Sequence, residues 1–173
     1  MSVIDADLIA HDVVEPGQPA LRTLRDAFGD ALLNPEGRLD RAFMAEVVFH
    51  DPTALRRLNL ITHGYIAAEI SRQLDVAGDH ATFIALPLFR PEHRLLFDVD
   101  EVWAVQVEPD TAVERLVGHR GFREADARAR LSSQMTNEQR AQLVDQVIPN
   151  EGTLEELYEH LERLLVECGA VNG

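Results

Sequence analysis

The chain contains no lysine: all 16 of its basic residues are arginine. That absence excludes Schiff-base chemistry, and it excludes the lysine of a nucleotide-binding P-loop within these 173 residues. Cations are scarce altogether, 16 against 30 acidic residues, giving a formal charge of −14. Nucleic acid and anionic membranes need clustered positive charge, so neither is expected as a partner. The one cysteine, Cys168, has no mate for an internal disulfide, which fits a reducing compartment. No apolar run approaches the ~20 residues of a membrane helix. Met1-Ser2-Val3-Ile4-Asp5 has neither the basic start nor the apolar core of a secretory signal. The seven histidines lack metal-ligand spacing, with no His-Glu-x-x-His or Cys-His set, so a zinc site is not expected. Gly-x-Ser-x-Gly, Gly-x-Gly-x-x-Gly and Gly-x-x-x-x-Gly-Lys are missing too. A soluble cytoplasmic protein is expected.

What is present is an ordinary globular chain, 46% hydrophobic and 27% charged, with the length of one domain and no internal repeat. Val3-Ile4 reads as the end of a strand. Leu8 to Val14 reads as a helix stopped by Pro16-Gly17, and a second runs from Pro19 to Gly29. Asn34-Pro35-Glu36-Gly37 is turn chemistry, and Asp40 is placed to cap a helix bearing Phe43, Met44, Val47 and Val48. From Pro52 to Leu74 the apolar residues keep helical spacing across Gly64. Thr82–Leu86 reads as a buried strand and Val102–Val107 as another. Thr111 to Val144 is charged and helical, and Gln146–Ile148 is a last strand. Thr153 and Glu156 form a capping box for a helix whose stripe is Leu154, Leu157, Tyr158, Leu161, Leu164 and Leu165.

Strands alternating with helices predict an α/β fold, a mainly parallel sheet of about four strands flanked by helices. Ligands in such sheets sit beyond the carboxyl ends of the strands. That places Asp5–Asp7, Pro87–Phe89 and Glu108–Asp110 near a site. Asp5 and Asp7 lie two apart, on one side of an extended strand end. Neighbouring carboxylates suit a general base, and equally one of them could cap the following helix. Arg115, Arg120, Arg123, Arg128 and Arg130 crowd one segment together with Glu114, Glu124 and Asp126. They read either as a solvated face of ion pairs or as a mobile flap that clamps phosphates. His50-Asp51 reads as a surface turn before Pro52.

Taken in order, several segments resemble the dephospho-coenzyme A kinases, which are similar to adenylate-type P-loop kinases. The carriers are Val3-Ile4-Asp5-Ala6-Asp7-Leu8-Ile9-Ala10, Val13-Val14-Glu15-Pro16-Gly17, Phe28-Gly29, Gly37-Arg38-Leu39-Asp40-Arg41 and Val48-Phe49. Thr62-His63, Pro87-Leu88, Arg115-Leu116, Gly121, Ala127-Arg128-Ala129-Arg130, Gln134 and Asn150-Glu151-Gly152 complete them. The resemblance runs from Val3 to about Leu165 and implies one domain over 1–173 with a helical lid at about 111–145. It implies ATP-dependent phosphorylation of the 3′-hydroxyl of dephospho-coenzyme A, with ATP and Mg as cofactors. Asp7 resembles the general base, with Asp5 its neighbour. His63, His11, Pro87 and Leu88 fall on the acceptor side. Arg120 and Arg130 of the lid, with Asn150 and Gly152 beside the adenine, fall on the nucleotide side.

The sequence also departs from the family. The strand, P-loop and helix that precede Val3 in the family have no counterpart here, so weak or absent ATP binding is expected. His119 replaces a lid arginine, Gly64 follows His63 in place of proline, Arg90-Pro91-Glu92 stands where an acidic residue is common, and His11 stands where arginine is common. These changes suggest an impaired kinase, or alternatively a non-catalytic relative that binds a coenzyme A-like ligand or a protein. Without a central strand, the Thr82 strand is expected to pair directly with the Val102 strand, or an oligomer or partner chain to cover the gap.

Overall fold

A computed structural model of the chain describes residues 1–78 and 80–171. Two compact units result, Met1–Phe89 and Arg90–Gly173.

In the first unit, β1 (Ser2–Asp5) pairs in parallel with β2 (Thr82–Ala85), Asp5 lying opposite Ala85. Helix α1 (Ala6–Asp12) begins two residues before Leu8, because the Asp5 carboxylate caps it. Asp5 Oδ1 accepts from the Asp7 and Leu8 N–H groups at 2.9 and 3.2 Å. Helix α2 (Pro19–Phe28) starts on proline and ends at Gly29, burying Ala20, Leu21 and Leu24. A 3-10 turn (Asp30–Leu32) leads to the Asn34 turn, where Asn34 Oδ1 accepts from the Glu36 and Arg38 N–H groups. Asp40 caps α3 (Arg41–His50), accepting from the Phe43 N–H at 2.9 Å. Asp51 caps α4 (Pro52–Ala77), so His50-Asp51 is a junction between helices. Helix α4 runs unbroken through Gly64, which costs ~1 kcal/mol against alanine. Packing against α1, α2 and α3 offsets that cost. The core is Val14, Ala20, Leu21, Leu24, Leu32 and Met44, with Leu58, Ile61 and Tyr65 of α4 laid over it. Fully buried Leu24 contributes ~1.5–3 kcal/mol. The Tyr65 and Thr23 hydroxyls meet at 2.8 Å on its margin.

The second unit orders α5 (Pro91–Leu96), β3 (Trp103–Gln106), α6 (Pro109–Arg120), α7 (Glu124–Ser132), α8 (Asn137–Ala141), β4 (Gln146–Pro149) and α9 (Leu154–Glu167). Strands β3 and β4 are parallel, with Gln106 opposite Pro149. The capping box at Thr153 forms: Thr153 Oγ1 accepts from the Glu156 N–H at 3.2 Å, and Glu156 Oε2 from the Thr153 N–H at 2.8 Å.

The parallel α/β class holds: four strands pair in parallel and helices connect them. Several finer expectations do not. Strands β2 and β3 belong to different two-stranded sheets, so the direct pairing of Thr82–Leu86 with Val102–Val107 is not formed. Strand β2 is half-buried, where its apolar run predicts full burial. In α9 only Leu164 of the expected stripe is buried, while Leu154 and Tyr158 are 64% and 61% exposed. The stripe is wide enough for two contacts, and β4 is the element that α9 packs on. Thr111–Val144 divides into three helices, and α5 escapes a periodicity search because six residues carry less than two turns.

Both sheets leave strand side chains open to solvent: Val3 on β1 and Val105 on β3 are 63% and 55% exposed.

Candidate functional site

In each unit the chemistry gathers at the carboxyl ends of the two strands, where a parallel sheet presents ligand sites. Beyond β1 and β2 stand Asp5, Asp7, Pro87 and Leu88. Asp5 is half-buried and its carboxylate holds two helix amides, so the capping role is realised there. Asp7, one residue into α1, is exposed and among the described residues accepts no hydrogen bond. Of the two carboxylates it is the one open to solvent. The pair therefore divides into a helix cap and an open carboxylate, although spacing alone does not say which is which. Pro87 and Leu88 are exposed in the turn after β2. His11 lies in the last turn of α1, 3.6 Å from Asp12 Oδ1 and 3.8 Å from Glu15 Oε1. His63 is exposed on α4, the helix against which α1 packs. Glu15 accepts from Arg38 Nη1 at 2.5 Å, which joins the Val13–Gly17 segment to the Gly37–Arg41 segment across 23 residues. Sequence alone does not foretell that joint.

Beyond β3 and β4 stand Glu108, Asn150, Glu151 and Gly152. The Asn150 N–H donates to the Gln106 carbonyl at 2.8 Å, extending the strand ladder by one bond. A Cβ at Gly152 would stand 2.1 Å from Glu156 Oε2, so the carboxylate of the capping box would have to shift to admit one. A shallow depression of about 320 Å³ opens at this turn, lined in part by Gly152, Thr153, His160 and Arg163.

Asp145 fixes the register of this pair of strands. Its Oδ2 accepts from the Val102 N–H at 2.8 Å and from Arg94 Nη2 at 2.7 Å, and its own N–H donates to the Val102 carbonyl at 2.8 Å. The Val102 amide, with Arg94 assisting, holds the carboxyl below the usual aspartate range against the opposing effect of desolvation.

The lid arginines separate into two groups. Arg128 joins α7 to the start of α6, with Nη1 3.1 Å from Asp110 Oδ1 and Nε 2.9 Å from Glu124 Oε1, and these bonds raise its pKa further. Arg123 pairs with Asp126 at 2.7 and 3.0 Å. Arg115, Arg120 and Arg130 form no ion pair among the described residues. Arg130 lies over the Phe122 ring at 5.9 Å. The ion-pair reading of the segment thus holds for Arg123 and Arg128. Gly121 makes the turn between the helices: at φ 67° its left-handed backbone closes α6, and the Phe122 N–H donates to the Leu116 carbonyl at 3.2 Å. His119 is exposed in the last turn of α6. Among the described residues no three His, Cys, Asp or Glu side chains gather as a metal site, and no helix is long and apolar enough to cross a membrane.

The family model for dephospho-CoA kinase matches residues 1–156. The chain belongs to the dephospho-CoA kinase family. The dephospho-CoA kinase of Thermobifida fusca is 44% identical over 172 residues, which cover 94% of this chain and 85% of that protein. The dephospho-CoA kinase of Corynebacterium glutamicum is 41% identical over 168 residues, covering 95% and 84%. Among solved structures, the dephospho-CoA kinase of Campylobacter jejuni superposes with a TM-score of 0.70 at 25% identity, over 97% of this chain and 85% of that one. TT1252 from Thermus thermophilus gives 0.75 at 25% identity, over 96% and 84%. Identity at this level over nearly the whole chain lends no support to a degenerate, non-catalytic role for this family member.

Proposed function

We propose that the chain works as a dephospho-CoA kinase in coenzyme A synthesis, transferring the terminal phosphoryl group of ATP to the 3′-hydroxyl of dephospho-CoA in the cytoplasm. The observation that carries this reading is the match to the dephospho-CoA kinase family over residues 1–156, with relatives up to 44% identical over nearly the whole chain. The acceptor-side residues Asp5, Asp7, His11, His63, Pro87 and Leu88 all fall in Met1–Phe89, and the nucleotide-side residues Arg120, Arg130, Asn150 and Gly152 all fall in Arg90–Gly173. Residues 1–173 are read as one kinase-like domain, with 111–145 as its lid.

In this scheme Asp7 takes the proton of the 3′-hydroxyl as its oxygen attacks the γ-phosphorus, and the bond from that phosphorus to the β,γ-bridging oxygen breaks to release ADP. Asp5 fixes the first turn of α1 and so aims Asp7. Arg115, Arg120 and Arg130 are the lid cations free to meet phosphate oxygens, since Arg123 and Arg128 already hold carboxylates. Mg²⁺ would enter on the ATP phosphates and neutralise charge there. Every fixed cation in these 173 residues is an arginine and the net charge is −14, so by itself the chain should hold ATP weakly.

Isothermal titration and a coupled ADP assay test this reading. Dephospho-CoA should bind, Mg-ATP should bind more weakly than the low micromolar range, and slow turnover should vanish in Asp7→Asn with acceptor affinity kept. Failure to bind dephospho-CoA would refute the proposal. Acceptor binding with no product, and no effect of Asp7→Asn, would favour a coenzyme A-like-ligand-binding relative.

A further inference from the structure

Glu151 lies in the middle of the Asn150–Gly152 turn, between two residues with a role and without one of its own. Its Oε1 accepts from the Glu108 N–H at 2.5 Å. Glu108 is the residue before α6, and that helix has no side-chain cap of its own; Pro109 opens it. The Glu151 carboxylate therefore meets the positive end of the first lid helix from the neighbouring strand. Beside it the end of β3 is clasped to the start of α8. Gln106 Nε2 donates to the Asn137 carbonyl at 3.2 Å, and Asn137 Nδ2 donates to the Val107 carbonyl at 2.9 Å. Gln106 is also the residue whose carbonyl receives the Asn150 N–H. The base of the lid is thus held by a clasp of two amides and one charged latch, and the Asn150–Gly152 turn reaches β3 through the Asn150 N–H and α6 through the latch.

We propose that Glu151 is a positioning residue for the lid. It fastens the first turn of α6 to the Asn150–Gly152 turn, so that a purine nucleotide held at that turn draws the lid arginines into place. The coupling rests on the nucleotide-facing reading of that turn; the latch itself does not. A carboxylate suits the task because a charge-assisted bond to a backbone N–H is shorter and stronger than one from a neutral acceptor.

The experiment uses the full chain, labelled with nitrogen-15. Without ligand, the Glu108 amide proton should resonate downfield and exchange slowly. Glu151→Ala should move it upfield and speed its exchange about tenfold or more, the loss of one charged hydrogen bond. Glu151→Gln, which keeps an acceptor oxygen, should restore most of the protection, and the α9 amides should not change. Equal exchange in Glu151→Ala and the parent overturns the latch. Faster exchange throughout the second unit without rescue by glutamine also overturns it, since the role would then be structural only. Millimolar Mg-ATP is the second arm. Resonances of 150–153 and 108–112 should shift together in the parent, and only the former in Glu151→Ala. A shift at 150–153 alone in the parent overturns the coupling. A shift at neither overturns the nucleotide reading and the coupling with it, while the first arm still decides the latch.

Discussion

Replacing Asp145 should separate a hydrogen bond from a charge. The carboxylate accepts from the Val102 N–H and from Arg94, and it is about one-third exposed, with 36% of its side-chain surface open. Loss of a charged acceptor from a backbone amide costs ~1.5–3 kcal/mol when buried, and partial exposure brings that to the lower end. The Arg94 pair adds ~0–1 kcal/mol. Asp145→Ala should therefore destabilise the second unit by about 1.5–2.5 kcal/mol. Asp145→Asn keeps an acceptor for Val102 and should cost only about 0.5–1 kcal/mol. Trp103, the sole tryptophan, lies on β3 and reports this unit directly by fluorescence during urea unfolding. The midpoint should fall by about 0.5–1 M for the alanine variant, given ordinary urea slopes. The pH dependence carries a definite sign. The folded carboxyl titrates below its unfolded value, so its stabilisation is complete above about pH 5 and is lost as pH falls through about 4 and lower. The gap between the parent and Asp145→Asn should close over that range. An asparagine variant as unstable as the alanine one, or a gap that ignores pH, would refute the account.

Two further substitutions probe the site. Asp5→Ala should lower stability by about 1 kcal/mol through loss of the α1 cap, while Asp7→Asn should change it by less than about 0.5 kcal/mol yet lower turnover ~10²–10⁴-fold; equal stability losses in thermal melts would undo the division between anchor and base. Gly152→Ala should cost about 0.5–1 kcal/mol, because its Cβ displaces the Glu156 carboxylate from the capping box. In a Glu156→Ala background the same change should be nearly neutral, and an undiminished cost there would place the strain elsewhere.

Much of the fold is legible in local chemistry. Asp40 and Thr153 act as caps where their side chains announce them, Pro19 and Pro52 open helices, and Gly29 closes one, whereas Asp51 caps α4 from what reads as a surface turn. These signals act within a few residues, so sequence carries them whole. The β2 pairing is different. A run such as Thr-Phe-Ile-Ala says that a segment prefers a strand, not which neighbour it takes, and β2 lies beside β1 across most of the first unit's length. Exposure of Leu154 and Tyr158 likewise depends on what α9 meets, which periodicity does not encode. At the site, Asp5 and Asp7 were visible as a pair, but their separate tasks follow from which carboxylate reaches the helix amides. The lid arginines were visible as a cluster; the Asp110 contact that sorts Arg128 from Arg130 spans 18 residues and belongs to the turn at Gly121. Glu151 belongs to a segment that carries the resemblance, but its contact has no sequence signal, since the partner is a backbone amide 43 residues away.

The open flank of Gly64 has a thermal consequence. Nothing lies within 4 Å of where a Cβ would stand there, and the backbone is that of a continuous helix, so α4 carries the entropic penalty of glycine with no close approach that requires it. A methyl group at this one position would raise the temperature at which the first unit melts by about 2–4 °C without touching another side chain.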